Sequence, residues 1–170
     1  FNADGYEVNP VIISPERKQQ LNQNLMLFFT GFSRFSSDIQ QTTEKALVDK
    51  QAQLLEMLSL VDDAEKVLTS KTDLNEFGRL LDYTWKLKRG ISSRISTDSI
   101  DGLYAKGIEA GALGGKLLGA GGGGFLLFYV EPDKQEQVHK AMEELLYVPF
   151  EFENSGTRVI HYTPETYEKR

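Results

Sequence analysis

Cysteine is missing altogether, and with it go disulfide scaffolds, thiol nucleophiles and thiolate zinc sites. Histidine occurs twice, at His139 and His161, too seldom for a His-rich metal centre. Basic residues are outnumbered, 19 Lys+Arg against 25 Asp+Glu, and the net charge of −6 has the wrong sign for a general nucleic-acid binder. No apolar run approaches the roughly 20 residues of a membrane-spanning helix, so no membrane partner is expected. No basic segment followed by an apolar stretch opens the chain as a secretion signal would. With the lack of cysteine, this fits a cytoplasmic setting. A Gly-x-Ser-x-Gly elbow is absent too, which leaves Ser–His–Asp chemistry without its usual anchor.

What is present is an ordinary globular mix: 170 residues, 40% hydrophobic and 26% charged. That is one domain, long enough to build a core without a metal or disulfide staple. The opening Phe1-Asn2-Ala3-Asp4-Gly5-Tyr6 has no initiator methionine and reads as the middle of a longer protein.

Local patterns give the element order. Phe1 to Ile13 alternates like a strand or hairpin, with Asp4-Gly5 as a turn. Ser14-Pro15-Glu16 predicts a helix start, a capping serine followed by proline at the first position and an acid near the positive end. This helix should end near Asn22. Leu25 to Thr30 is a continuous apolar run of strand length, broken by Gly31. A helical stripe runs from Ser36 through Leu54, Met57, Leu58 and Val61 to Leu68, with a break near Asp49. Asp73 and Glu76 resemble a capping box for a helix with the stripe Phe77, Leu80, Leu81, Thr84, Leu87 and Ile91. Ser96 to Ala110 predicts another helix, with Ile100, Leu103 and Tyr104 inward. Phe125 to Val130 reads as a second buried strand, Pro132 to Leu146 as an amphipathic helix, and Phe150 to Tyr162 as a hairpin or two edge strands. Without the inserted helices the order is β-α-β-β-α-β, the plan of a ferredoxin-like α+β sandwich: an antiparallel sheet with helices on one face.

The densest signal is Gly111 to Gly124, eight glycines in 14 residues, ending in four in a row. So many glycines are entropically expensive, and their common use is positive φ or a surface that another group approaches closely. Successive N–H groups in such a loop also form an anion-binding nest. A plain structural turn is the alternative. Gly119-Ala120-Gly121-Gly122-Gly123-Gly124 satisfies G-x-G-x-x-G, but a dinucleotide loop leaves a strand and opens a helix, and here the loop precedes a strand. Gly115-Lys116 is followed by Leu117 rather than Ser or Thr, so a P-loop is excluded as well.

Gly111 to Phe128 resembles the third signature motif of the GHMP small-molecule kinases. Nearly the whole chain, above all Leu25 to Ser37 with Trp85 to Phe128, is similar to the C-terminal half of the bacterial D-glycero-D-manno-heptose phosphate kinase branch of that family. The resemblance implies a two-domain kinase that uses ATP and Mg2+, with a ferredoxin-like C-terminal domain. It implies that residues 1–170 are that substrate-side domain, with D-glycero-D-manno-heptose 7-phosphate as the acceptor. Gly119, Ala120, Gly121, Gly122, Gly123 and Gly124 would then line the cleft beside the ATP phosphates and the sugar. The family's nucleotide motif, a Pro-rich opening followed by Gly-Leu-Gly-Ser-Ser, is not in the chain, and its catalytic aspartate and magnesium ligands belong to the N-terminal half. No catalytic or metal residue is therefore expected here, and the chain alone is expected to be inactive. The second reading is a stand-alone ferredoxin-like binding or regulatory module.

Four further groups are candidates. Ser33 and Arg34, in a turn between a strand and a helix, could hold a substrate phosphate, the arginine bidentately; a capped turn with a surface arginine is the bland reading. Lys86, Lys88 and Arg89 beside Trp85, with Arg94, form a basic cluster that reads as a solvated helix face with one cation–π contact, or as an interface. Asp98 and Asp101 at a helix start read as capping and dipole compensation rather than a carboxylate pair. His139 reads as a surface residue.

Overall fold

The computed structural model describes residues 5–31, 48–119, 121–154, 156, 159 and 161. Helix α1 (Pro15–Asn24) starts as its sequence predicts: Ser14 Oγ accepts from Arg17 N at 3.2 Å and proline fills the first position. It passes directly into β1 (Leu25–Phe29). A 3-10 turn at Val48–Lys50, close to the break expected at Asp49, leads into α2 (Gln51–Thr69), followed by α3 (Asn75–Arg89) and α4 (Asp98–Glu109). Then come β2 (Gly114–Leu117), β3 (Phe125–Tyr129), a 3-10 turn at Pro132–Lys134, α5 (Gln135–Ala141) and β4 (Leu146–Tyr147).

The four strands form one antiparallel sheet in the order β2-β3-β1-β4, with Leu25 opposite Tyr129 and Gly114 opposite the same Tyr129 from the other side. This is the β-α-β-β-α-β connection of a ferredoxin-like α+β sandwich, with α2, α3 and α4 inserted between β1 and β2. Alternation along the strands sends side chains to two faces. Met26, Phe28, Leu117, Leu126 and Phe128 join Ile100 and Tyr104 of α4 and Val138 of α5 in one cluster. Leu25, Leu27, Leu127 and Tyr129 join Leu21 of α1, Val67 of α2 and Phe77 and Leu81 of α3 in the other. Helix α1, the end of α2 and the first half of α3 thus cover the second face and α4 and α5 the first, while α3 also lies along β2 and shields that sheet edge.

Long-range polar bonds fix this second layer. The Arg17 guanidinium donates from Nε to Leu68 O at 2.7 Å and from Nη2 to Thr72 O at 2.8 Å and to Val67 O, closing the carbonyl end of α2. Asn24 Nδ2 donates to the Tyr129 hydroxyl at 2.7 Å, which donates in turn to Asn75 Oδ1 at 3.2 Å.

The fold class stands, but the strands that fill its plan are displaced from those expected. Residues 6–14 join no strand, and Tyr6, Val8 and Ile12 stand exposed. Apolar alternation makes a strand only where a neighbour supplies backbone partners. The true second strand, β2, lies inside the glycine-rich stretch. The C-terminal strand is the two-residue β4, which pairs with β1 through Phe28 opposite Tyr147, rather than the segment from Phe150. Residues 150–153 have no regular structure, and most of the stretch from Thr157 to Tyr162 lies outside the described residues. Asp73 Oδ1 accepts from Asn75 N at 3.1 Å, whereas no reciprocal bond from Glu76 completes the capping box.

Candidate functional site

Residues 118–124 connect β2 to β3, and the first pair beyond the strands is closed by Leu118 N donating to Phe125 O at 2.8 Å. The glycines therefore sit at the tip of a β-hairpin, strand before and strand after, which is again not the strand-to-helix setting of a dinucleotide loop. Gly119, Gly121, Gly122 and Gly124 have φ of +87°, +119°, +73° and +111°, a region that side chains with a Cβ enter only at a cost.

The tip is fastened from three directions. From the end of β1, Thr30 N and Thr30 Oγ1 both donate to Gly124 O at 2.9 Å, and Gly124 N donates back to Thr30 Oγ1 at 3.2 Å. From the turn between α3 and α4, Ile95 O accepts from Gly122 N at 3.0 Å. A Cβ on Gly121 would lie 2.7 Å from that same oxygen and 2.8 Å from Ile95 Cα. From the end of α3, Lys88 Nζ donates to Gly119 O at 2.7 Å. The turn that holds Ile95 is itself tied down by Asp101, whose Oδ1 accepts from Arg89 Nη1 at 2.7 Å and from Ser96 Oγ at 2.6 Å. At Gly119, Gly121, Gly122 and Gly124 the result is backbone without side chains, held by its neighbours.

The basic cluster does not behave as one unit. Trp85 is wholly buried in the core, 6.1 Å from the Tyr104 ring, so its indole is not offered to a cation at the surface. Lys86 pairs with Asp82 at 2.5 Å and Arg89 with Asp101. Arg94 is exposed. Lys88 is half-buried, and burial first, then the neighbouring Lys116 charge, lowers its pKa. Burial, reinforced by a 2.8 Å bond to Asp82 Oδ1, raises the Tyr104 phenol well above its ordinary value, so it holds its proton at neutral pH.

Asp98 lies exposed in the first turn of α4, whose cap is Thr97, with Oγ1 accepting from Ile100 N at 3.3 Å. This agrees with dipole compensation. His139 is exposed, its ring edge-on to Tyr147 at 5.4 Å. Ser33, Arg34 and Ala120 lie outside the described residues; of the expected substrate loop only Thr30 and Gly31 are described, Gly31 with φ +74°. Among the described residues no three His, Asp or Glu groups converge on one point. No described helix is long and apolar enough to cross a membrane. Sequence reasoning missed Ile95 and Lys116 as part of the site, and it took Thr30 as the start of the substrate loop rather than as a clamp on the glycine tip. Thr30 had a signal, a hydroxyl closing an apolar strand, whereas a backbone contact such as that of Ile95 leaves none.

Known proteins resemble the chain over half or more of its length. D-glycero-alpha-D-manno-heptose 7-phosphate kinase of Campylobacter jejuni is 32% identical over 93% of the chain and 48% of its own length. Mevalonate kinase of Pyrococcus abyssi is 36% identical over 51% of the chain and 26% of its own length. The crystal structure of the Methanococcus jannaschii mevalonate kinase superposes with a TM-score of 0.65 at 23% identity, over 80% of this chain and 42% of that one, a likeness of fold. The chain thus spans half or less of the length of these relatives. The family profile for the C-terminal region of GHMP kinases matches residues 60–148, just over half of the chain, from the middle of α2 through the glycine hairpin to the end of β4. That match takes in α3, α4 and the whole hairpin with its pinned glycine tip, and the chain belongs to the GHMP kinase family as a C-terminal domain.

Proposed function

We propose that these 170 residues are the substrate-side domain of an ATP-dependent kinase that phosphorylates a sugar phosphate, with D-glycero-D-manno-heptose 7-phosphate as the acceptor. The observation that carries this reading is the pinned set Gly119, Gly121, Gly122 and Gly124, backbone without side chains that a phosphate or a second loop can approach closely. The similarity to the heptose 7-phosphate kinase over 93% of the chain favours that acceptor over mevalonate.

Phosphoryl transfer asks a protein chiefly for positioning and for charge stabilisation. The chain's contribution is the first of these. Its tip keeps a fixed contour because Thr30, Ile95 and Lys88 hold it, and the missing side chains leave room for the reacting groups. Magnesium would neutralise phosphate charge in such a reaction, but the described residues do not supply a donor set for it. Nucleotide and metal would be held by a domain carrying the Gly-Leu-Gly-Ser-Ser motif, which these residues do not contain. In this reading Ser33 and Arg34 face the acceptor phosphate.

The test is ADP release by the full-length natural protein, offered heptose 7-phosphate, mevalonate or galactose with MgATP. Turnover with the heptose phosphate is expected, and none from the 170-residue chain alone. Turnover confined to mevalonate or galactose overturns the acceptor, and ADP released by the isolated chain overturns the division of labour.

A further inference from the structure

The pinned tip has an electrical side that its glycines do not explain. Along β2, Gly115 and Leu117 turn toward the cluster around Phe128, so Gly114 and Lys116 turn to the opposite face, where α3 lies. A Cβ on Gly114 would meet the Gly78 carbonyl and Asp82, and further along α3 Lys88 reaches Gly119 O at 2.7 Å. Helix and strand therefore run side by side toward the tip, with Lys88 tied to Gly119 and Lys116 three residues before it on the strand, and the Lys116 charge acts on Lys88.

The other two cations in the last turn of α3 each have a described acid: Lys86 has Asp82 and Arg89 has Asp101. Lys88 and Lys116 have none among the described residues, and Lys88 is influenced by Lys116 with no carboxylate offsetting it. Both are half-buried. Two adjacent, partly desolvated positive charges in a chain of net charge −6 are a standing cost unless an anion completes the group.

We propose that Lys88 and Lys116 form an anion seat on the flank of the glycine tip, and that its occupant is a phosphate group of a ligand. The identity of that ligand rests on the kinase reading; the existence of the seat does not. Two sources share this chemistry, the phosphate already on the acceptor and a phosphate of the nucleotide.

The seat is tested first without catalysis. Lysines of the chain are reductively methylated with carbon-13, which preserves their charge, and inorganic phosphate is titrated in while the resonances are followed. Variants Lys88→Arg and Lys116→Gln assign the two signals. Expected are saturable shifts at both residues and a rise in the pH midpoint of Lys88, with Lys66 and Lys86 unmoved as internal controls. Lys116→Gln, which leaves the Gly119 tether in place, should weaken binding roughly ten- to a hundredfold. Uniform shifts at all lysines, or none at Lys88 and Lys116, overturn the seat. In the full-length kinase, Lys116→Gln then separates the sources. A rise in KM for the sugar phosphate assigns the seat to the acceptor, and a rise in KM for ATP assigns it to the nucleotide. Neither rising overturns a ligand phosphate as its occupant. If no kinase activity is found at all, the phosphate titration still decides whether the seat exists.

Discussion

Two groups of glycines stand a few residues apart in the chain and do opposite things. Gly114 and Gly115 lie in β2, buried, and neither falls in the left-handed region. They are small because something sits on them: a Cβ on Gly114 would run into the carbonyl of Gly78 on α3, and one on Gly115 into Leu127 O and the Phe128 ring. Gly119 is the reverse case, with φ +87° and nothing within 4 Å of where a Cβ would stand. The first pair lets a helix touch a strand; the hairpin glycines let a backbone bend where no side chain is wanted. Glycine in a strand is a packing device, glycine at a tip a conformational one.

The sharpest break of this comparison is Gly114→Ala. The clash is backbone against backbone, so α3 must move off the sheet, and a loss of about 3 kcal/mol or more is expected. A urea midpoint unchanged from the parent would show that the helix–strand contact is looser than described. Gly119→Ala should cost less, about 1–2 kcal/mol, because the penalty is conformational alone. A thermal melt reads it, and a loss as large as that of Gly114→Ala would mean that the tip is packed rather than bent. The smallest effect has the opposite sign. Gly102 sits inside α4 with open space around it and no positive φ, so Gly102→Ala should stabilise by about 0.5–1 kcal/mol. Destabilisation there would remove the distinction between an idle glycine and a working one.

These two uses also mark how far the sequence could be read. Helix α1 was legible because Ser14 and Pro15 signal through local chemistry, and β1 and β3 because buried strands are continuous apolar runs. β2 was illegible for the reason just given: its glycines answer to Gly78 and Phe128, distant in sequence, and by local propensity a Gly-Gly pair argues against a strand. Residues 6–14 failed the other way, alternating well but finding no strand to pair with. The basic cluster showed its composition but not its partition, since which lysine meets an acid depends on how α3 lies against α4 and β2.

The pairing of β1 with β3 has a consequence for how the chain is made. Leu25 stands opposite Tyr129 in the register, so the central pair of the sheet joins segments about a hundred residues apart. On a ribosome adding roughly 5–20 residues per second, Leu25 to Phe29 emerges several seconds before its partner exists. The hairpin of β2 and β3 closes locally, and only then does β1 slot in beside it. During that wait, five consecutive apolar residues have an open edge, a stretch of the kind that chaperones hold and that aggregates form around.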